Sequence, residues 1–560
     1  MAKKRDLRLL QKLPQNTLCW GLFVGISLGS AGFESFAPAA HAQSYVALMA
    51  GQQARPLNGQ FNRIPVLHSN QPEEVEGPGI LINTAPGSAH SKESGQDLNN
   101  AEYTFNGDFG VHLHHKYFPP YRAQITRDSR RTELTIGLIL INPGQLPVHI
   151  RFSSGAVRNS FEAPYLANSM TGVRPLGPRP WNTGPGDATA IQLLRGRLDS
   201  KLSDEVTVPP RTRVVLFTKD LPALGIANAL LKGHSDGPFQ MAVVAASNPQ
   251  QDEDLLAVLD QGQLAPGRVY LNRIVEIQNR QIFSRVGGVA LGDAYQATLS
   301  HNLDLQGPLH VPLTSTFRHH FGTKDIQVNP LASRMLDSSL DNVGTYGVRF
   351  DIELKLRGEG PYELVLSHPS SLGGRPFTAF RGSLQIQTPE GQKDVHVVLR
   401  SGQSLSLSSL HLKPGEDNPV RISLVYPADA TPGHLLSVVP LTQLSRTRQN
   451  ERQLELAKAQ AERATRSRQA TRSATEPNTP PPLPRVVTDP DAHDDLQEAQ
   501  QPLPPLMPPV TMPPAVFPPT LVGPAVMPPT RPNQTNQTLI DRYQQALEAQ
   551  QDVMRGLMNR

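Results

Sequence analysis

The chain has 560 residues, 53 Lys and Arg against 49 Asp and Glu, a formal net charge of +4 and a single cysteine. A charge so near balance over a chain of this length gives no support to nucleic-acid binding. With Cys19 the only thiol, a fold without it depends on its apolar core and not on disulfides.

The first 42 residues read as a secretory signal. Lys3, Lys4, Arg5, Arg8 and Lys12 form a basic start, residues 18–29 (LCWGLFVGISLG) an apolar stretch, and AHA at 40–42 sets small residues ahead of a cut before Gln43. The leader carries five basic and two acidic residues, so its removal takes the formal charge from +4 to +1. Export to the periplasm or the cell surface is the expected location. No second long apolar run follows, so the mature chain is expected to be soluble without a membrane span.

From about 57 to 445 the dominant pattern is period-two alternation broken by Gly, Pro and Asn, which predicts antiparallel strands. Residues 132–157 read as strand, a turn at Asn142-Pro143-Gly144, and strand; residues 348–370 repeat that plan around Gly358 and Gly360. A second element, strand through a proline turn into strand, occurs at 206–217 and again at 410–427. The displacements, 214 residues from Gly144 to Gly358 and 205 from Pro209 to Pro414, suggest two related β-sandwich-like units, 43–300 and 301–445. Short helical insertions are predicted at 187–198, 225–233 and 252–262, too few for the strand–helix alternation of a parallel sheet. The expected class is mainly β: two sandwich-like units with short helical insertions, then a disordered Pro-rich tail and a C-terminal helix.

Three stretches invite a site. GHSDG at 233–237 fits the G-x-S-x-G pattern of a nucleophile elbow, but the predicted order is helix, turn, strand, the reverse of an elbow. Ser235 is therefore read as a turn residue. In VHLHHKYF at 111–118, His112 and His114 would project from one strand face as metal ligands, with His319 and His320 as possible completions. Two ligands do not close a site, so no metal is assigned. In RPWNTGPGD at 179–187, Trp181 with Asn182 and Asp187 could form a glycan platform. No catalytic residue and no cofactor is assigned; enzymatic activity is left open, with the balance against it.

The tail is read in three parts. Residues 446–476 form a polar basic helix or linker, with eight basic and three acidic residues in 446–473. Residues 477–533 form a Pro-rich spacer; 19 prolines fall in the 56 residues from 477 to 532, and polyproline II geometry would give it a reach of up to about 170 Å. Residues 534–560 form an amphipathic helix in which Ile540, Tyr543, Leu547, Met554 and Leu557 follow a three–four spacing, the seam of a helix that binds another copy or an envelope protein.

The stretches 59–87 (GQFNRIPVLHSNQPEEVEGPGILINTAPG), 106–117 (NGDFGVHLHHKY), 237–246 (GPFQMAVVAA), 345–356 (TYGVRFDIELKL), 380–386 (FRGSLQI) and 425–440 (VYPADATPGHLLSVVP) together resemble a family of exported cyanobacterial proteins of unknown function. The resemblance covers about 57–443 and not the tail. It implies a cyanobacterial envelope location and supplies neither catalytic residues nor a ligand. The preferred reading is a non-enzymatic exported envelope protein with a binding or scaffolding body and a tethering tail. The alternative is a secreted carbohydrate-binding or carbohydrate-active protein.

Overall fold

Alternation becomes strand through most of the body. The computed structural model describes residues 46–120, 132–165, 171–177, 182–282, 284–369, 377–428 and 430–473. The leader, Trp181, the Pro-rich spacer and the helix proposed at 534–560, with Ile540, Tyr543, Leu547, Met554 and Leu557, lie outside them. Among the described residues no helix is long and apolar enough to cross a membrane.

The first unit is organised by one strand of 21 residues, Ile226–Ala246. Its first part pairs with Phe105–Tyr117 on one side and Val148–Asn159 on the other. Its second part pairs with Gly79–Asn83 and Thr132–Asn142. The register breaks between Ser235 and Phe239, where the strand passes from one layer to the next. Phe105, Phe109, Phe152 and Phe239 meet edge-on or tilted in the core between these layers, with centroids 5.0 to 6.1 Å apart.

This strand replaces the helix expected at 225–233, and it also overturns the helix–turn–strand order expected around GHSDG. Residues 226–231 are buried without interruption. A strand covered on both faces loses its alternation, so its Ala and Leu content reads as helix; pairing on both edges decides otherwise. The helices expected at 187–198 and 252–262 form as Pro185–Leu194 and Asp252–Asp260.

In the second unit a seven-stranded sheet packs on a four-stranded one. The first holds Ala294–Asn302, Arg349–Arg357, Asn418–Val425, Thr378–Thr388 and Gly391–Arg400, and the second holds Leu309–Leu313, His434–Pro440, Gly360–Ser367 and Ser404–Leu412. Ile352, Leu384, Val397 and Ile422 from the larger sheet meet Val311, Leu364, Leu366 and Val438 from the smaller in one core.

The repeated sequence elements occupy equivalent places. Strands 132–142 and 212–222 pair antiparallel in one layer, while 148–159 and 205–208, reached across the turns at 143–147 and 209–211, pair in the other. Likewise 349–357 pairs with 418–425, and 360–367 with 404–412. Each unit therefore contains two turns that carry the chain from layer to layer and back. The units also exchange strands, and the boundary expected at 300 does not separate the sheets: Gln60–Phe61, Gly172–Pro175 and Ala294–Asn302 join the seven-stranded sheet, and Leu331–Arg334 joins the eleven-stranded sheet of the first unit by pairing with Val286–Leu291.

Helix Pro185–Leu194 fills the seam between the units. Gly184 precedes it at φ +90°, Pro185 occupies its first turn, and Asp187 sits near the positive end of its dipole. It packs against strands 148–159 and 226–246 of one unit and 378–388 and 418–425 of the other, where Ala190, Leu194, Leu230 and Val425 form a small apolar cluster. The last strand, His434–Pro440, runs directly into the 33-residue helix Leu441–Ser473.

Candidate functional site

His112 and His114, two residues apart on strand 105–117, both point into the seam and are buried. Each starts a separate polar path out of the first unit.

The path from His114 is hydrogen-bonded. Its Nδ1 donates to Asn228 Oδ1 at 3.1 Å, and Asn228 Nδ2 donates to Thr189 Oγ1 at 2.6 Å on the seam helix. Thr189 donates back to the carbonyls of Pro185 and Gly186. Two residues earlier on that helix, Asp187 Oδ2 accepts from Ser383 Oγ at 2.9 Å and lies 3.0 Å from His396 Nδ1. Ser383 and His396 stand on adjacent strands of the second unit. The helix thus links the two units through polar groups withdrawn from water, where each bond removed leaves a costly unpaired partner.

The path from His112 is a stack of rings. Parallel pairing sets His68 opposite His112, with Nδ1 atoms 3.1 Å apart. Tyr346 follows at 6.4 Å from His112 between centroids, then Tyr426 at 5.9 Å, His434 at 5.8 Å and His368 at 5.2 Å. Gly347, at φ +76°, lets the backbone pass over His112: a Cβ there would come within 2.9 Å of Leu230 and 3.4 Å of His112.

Burial holds these histidines neutral. It lowers the pKa of His68 to about 3 and that of His368 to about 4, and takes His112 and His434 well below the ordinary value. For His112, mutual repulsion with His68, His114 and His115 adds to the effect. His115, on the opposite face, donates from Nδ1 to the Pro72 carbonyl and accepts from Ser69 at 2.8 Å.

Neutral imidazoles are metal ligands by type, but among the described residues no three His, Cys, Asp or Glu side chains are spaced to hold an ion. His319, read as a possible completion of the His112 site, packs instead at Gly433 beside His434. Ser383, His396 and Asp187 carry the residue types of a hydrolase triad without its geometry. Both Ser383 and Asp187 address His396 Nδ1, at 3.2 and 3.0 Å, whereas a relay needs the hydroxyl on the opposite ring nitrogen.

The glycan group does not share one surface. Asn182 is exposed, while Asp187 is completely buried. Ser235 lies within strand 226–246, buried, its Oγ accepting from the Gly107 amide at 3.1 Å. The seam residues that sequence reasoning missed are His68, Thr189, Asn228, Tyr346, His368, Ser383, His396, Tyr426 and His434. Only the register of strands 65–70 and 105–117 brings His68 to His112, and no local spacing carries that register.

No curated protein matches the chain in sequence. Among solved structures, a Paenibacillus xanthan lyase is 9% identical, with 66% of this chain and 27% of that one covered and a TM-score of 0.14. Lac15 from a marine microbial metagenome is 11% identical, with 69% and 63% covered and a TM-score of 0.12. The chain therefore spans less than two thirds of either structure, and scores this low say nothing about its fold or chemistry. Residues 52–440, nearly the segment outlined by the sequence motifs, match a family described as protein of unknown function. By that match, which covers more than half of its length, the chain belongs to the DUF3370 family.

Proposed function

We propose that this protein is an exported, non-enzymatic component of the cell envelope, in which the paired β units bind or scaffold and the tail holds them in place. The observation that carries this reading is the way the tail leaves the body. Helix 441–473 continues the last strand without a loop, and Leu444 is buried with Val46, Leu48, Met49, Phe321, Val365, Leu435 and Val439. Gln443 Nε2 donates to the Leu48 carbonyl at 2.8 Å, and Ser404 Oγ donates to Glu451 at 2.9 Å. Residues 46–49, shortly after the proposed cleavage site, therefore pack on the base of the tail, so the chain enters and leaves the body at one place. That arrangement suits a body hung from its tail. The basic leader and the resemblance to exported cyanobacterial proteins support export.

The carbohydrate reading is weakened by Asp187, which has no access to a sugar at the surface. The discriminating experiment is co-purification from native envelope with the full chain and with a chain ending at Ser473, the fold of each checked by thermal unfolding. Envelope partners retained only by the full chain support tethering. Equal retention of both, with release by soluble glycan, would replace it with glycan binding by the body.

A further inference from the structure

The exposed apolar side chains Leu146, Phe161 and Leu305 stand on separate turns of the chain, as scattered surface residues do. Val275, Phe317 and Leu336 gather instead in one place. They are 68%, 45% and 42% exposed, and their three segments meet along residues 270–281. The Arg280 guanidinium lies 5.1 Å from the centre of the Phe317 ring, and Arg318 donates to the Gln281 carbonyl. At the other end of that stretch the Tyr270 amide donates at 3.1 Å to Asp337, the residue after Leu336. Val275 stands between these two junctions on the short helix Ile274–Gln278, with Leu271 and Ile274 half-buried beside it.

Charge around this patch is sorted by depth. Segments 270–281, 315–324 and 334–341 carry five cations, Arg273, Arg280, Arg318, Lys324 and Arg334, against three carboxylates. Asp337 and Asp341 are buried, and Glu276 is paired with Arg273. The Arg280 side chain is 50% exposed where that of its partner Asp341 is 10% exposed, and Lys324 is exposed. Arg334 donates to the carbonyls of Met335, Leu336 and Ser338, bonds that leave its charge in place. The side facing solvent is therefore positive. Exposed aliphatic and aromatic side chains within a rim of Arg and Lys complement an anionic bilayer, whose headgroups take the cations while the acyl boundary takes the apolar groups.

We propose that this patch docks the body peripherally on a membrane surface rich in anionic phospholipid. Val275, Phe317 and Leu336 enter the boundary between headgroups and acyl chains, and Arg318, Lys324 and Arg334 meet lipid phosphates. The tail and the patch then hold the body at two separate places. The proposal rests on the envelope reading only in that the body must reach a lipid surface. Vesicle binding and retention of envelope partners are separate readouts, so either can fail alone.

The probe is a vesicle of phosphatidylglycerol and phosphatidylcholine in equal parts, sedimented with the full chain. Binding is expected to that vesicle and not to one of phosphatidylcholine alone, and it should fall at about 1 M salt, where the screening length is about 3 Å. Lys324→Gln should weaken it about fivefold, the effect of one cation near an anionic surface. The triple variant Val275→Ser, Phe317→Ser, Leu336→Ser should abolish binding with the unfolding midpoint unchanged. Leu146→Ser, which removes a more exposed apolar side chain on a different turn, should leave binding intact. Val275→Ser alone, at the most exposed of the three, should weaken binding and decides the matter if the triple variant fails to fold. Vesicle binding undiminished by these variants would overturn the proposal and place lipid contact elsewhere in the chain. So would failure to bind anionic vesicles; envelope proteins held by the native chain and lost by the triple variant would then identify an acidic protein surface as the partner.

Discussion

His68 and His112 bring their Nδ1 atoms to 3.1 Å across a parallel strand pair, so one ring must donate and the other accept, and the two share a single proton between those atoms. A further proton on either ring would place an imidazolium charge in a fully buried space. The ring stack linking the two units therefore depends on neutral histidine.

Stability should fall as acid is added. Folded pKa values of about 3 for His68 and His115, and about 4 for His310, His319 and His368, lie below the unfolded value near 6.5. Between those limits the unfolded chain binds protons that the folded chain refuses. The stabilisation is thus fully present above pH 6.5 and is lost as pH falls toward 4, at about 1.4 kcal/mol per pH unit for each histidine kept neutral. Urea midpoints measured from pH 7.5 to 4.5 should drop steeply below 6.5. His112→Phe, which keeps a ring in the stack and removes its titration, should flatten that slope; an unchanged slope would show that the seam does not contribute.

Asp187→Ala should destabilise by about 2–4 kcal/mol, because it strips Ser383 and His396 of a buried charged acceptor. Asp187→Asn, which keeps an acceptor oxygen, should cost less. Thermal unfolding of both variants tests the order; equal and small losses would mean that the helix is held by its apolar contacts alone.

Much of this was legible in advance, and the reasons differ by element. Alternation exposed the strands at 132–157 and 348–370 because each unit has faces of unlike polarity, and the recurring turns marked where the chain changes layer. Alternation failed at 226–231, where both faces are covered. His112 and His114 were visible as a same-face pair, but their partners were not: Asn228 and Thr189 come from different elements, and Tyr346 and Tyr426 from the other unit. Asp187 followed a Gly/Pro-rich loop and resembled a surface residue, yet the helix that begins there turns it inward.

Ser235→Ala should remove no activity and cost about 1 kcal/mol, since the Gly107 amide loses its acceptor. A serine-hydrolase probe should label neither form. Labelling of the native protein that disappears in the variant, with the fold intact, would revive the esterase reading.

Leu444→Asp should detach the base of the tail without unfolding the sheets, because Leu444 is buried in a cluster distinct from the two main cores. Hydrogen exchange should quicken at 441–451 and at 46–52 while the strands at 226–246 and 349–357 stay protected. Loss of protection throughout would make the helix part of the cooperative body.

The final prediction concerns the last 27 residues, 534–560. Ile540, Tyr543, Leu547, Met554 and Leu557 recur at helical spacing, Thr538 can cap the start, and Asp541 complements the positive N-terminal end. A helix formed over these residues would be marginal alone in water, so its apolar stripe would need a covering surface. A spacer with 19 prolines ahead of it favours a surface at a distance over the chain's own body. Deleting 534–560 should leave the unfolding midpoint of the β units unchanged while abolishing self-association or retention in the envelope. Sedimentation velocity reads the first and cell fractionation the second. If the shortened chain sediments as a full-length chain does and stays with the envelope, the stripe is covered at home and the tail's attachment lies elsewhere.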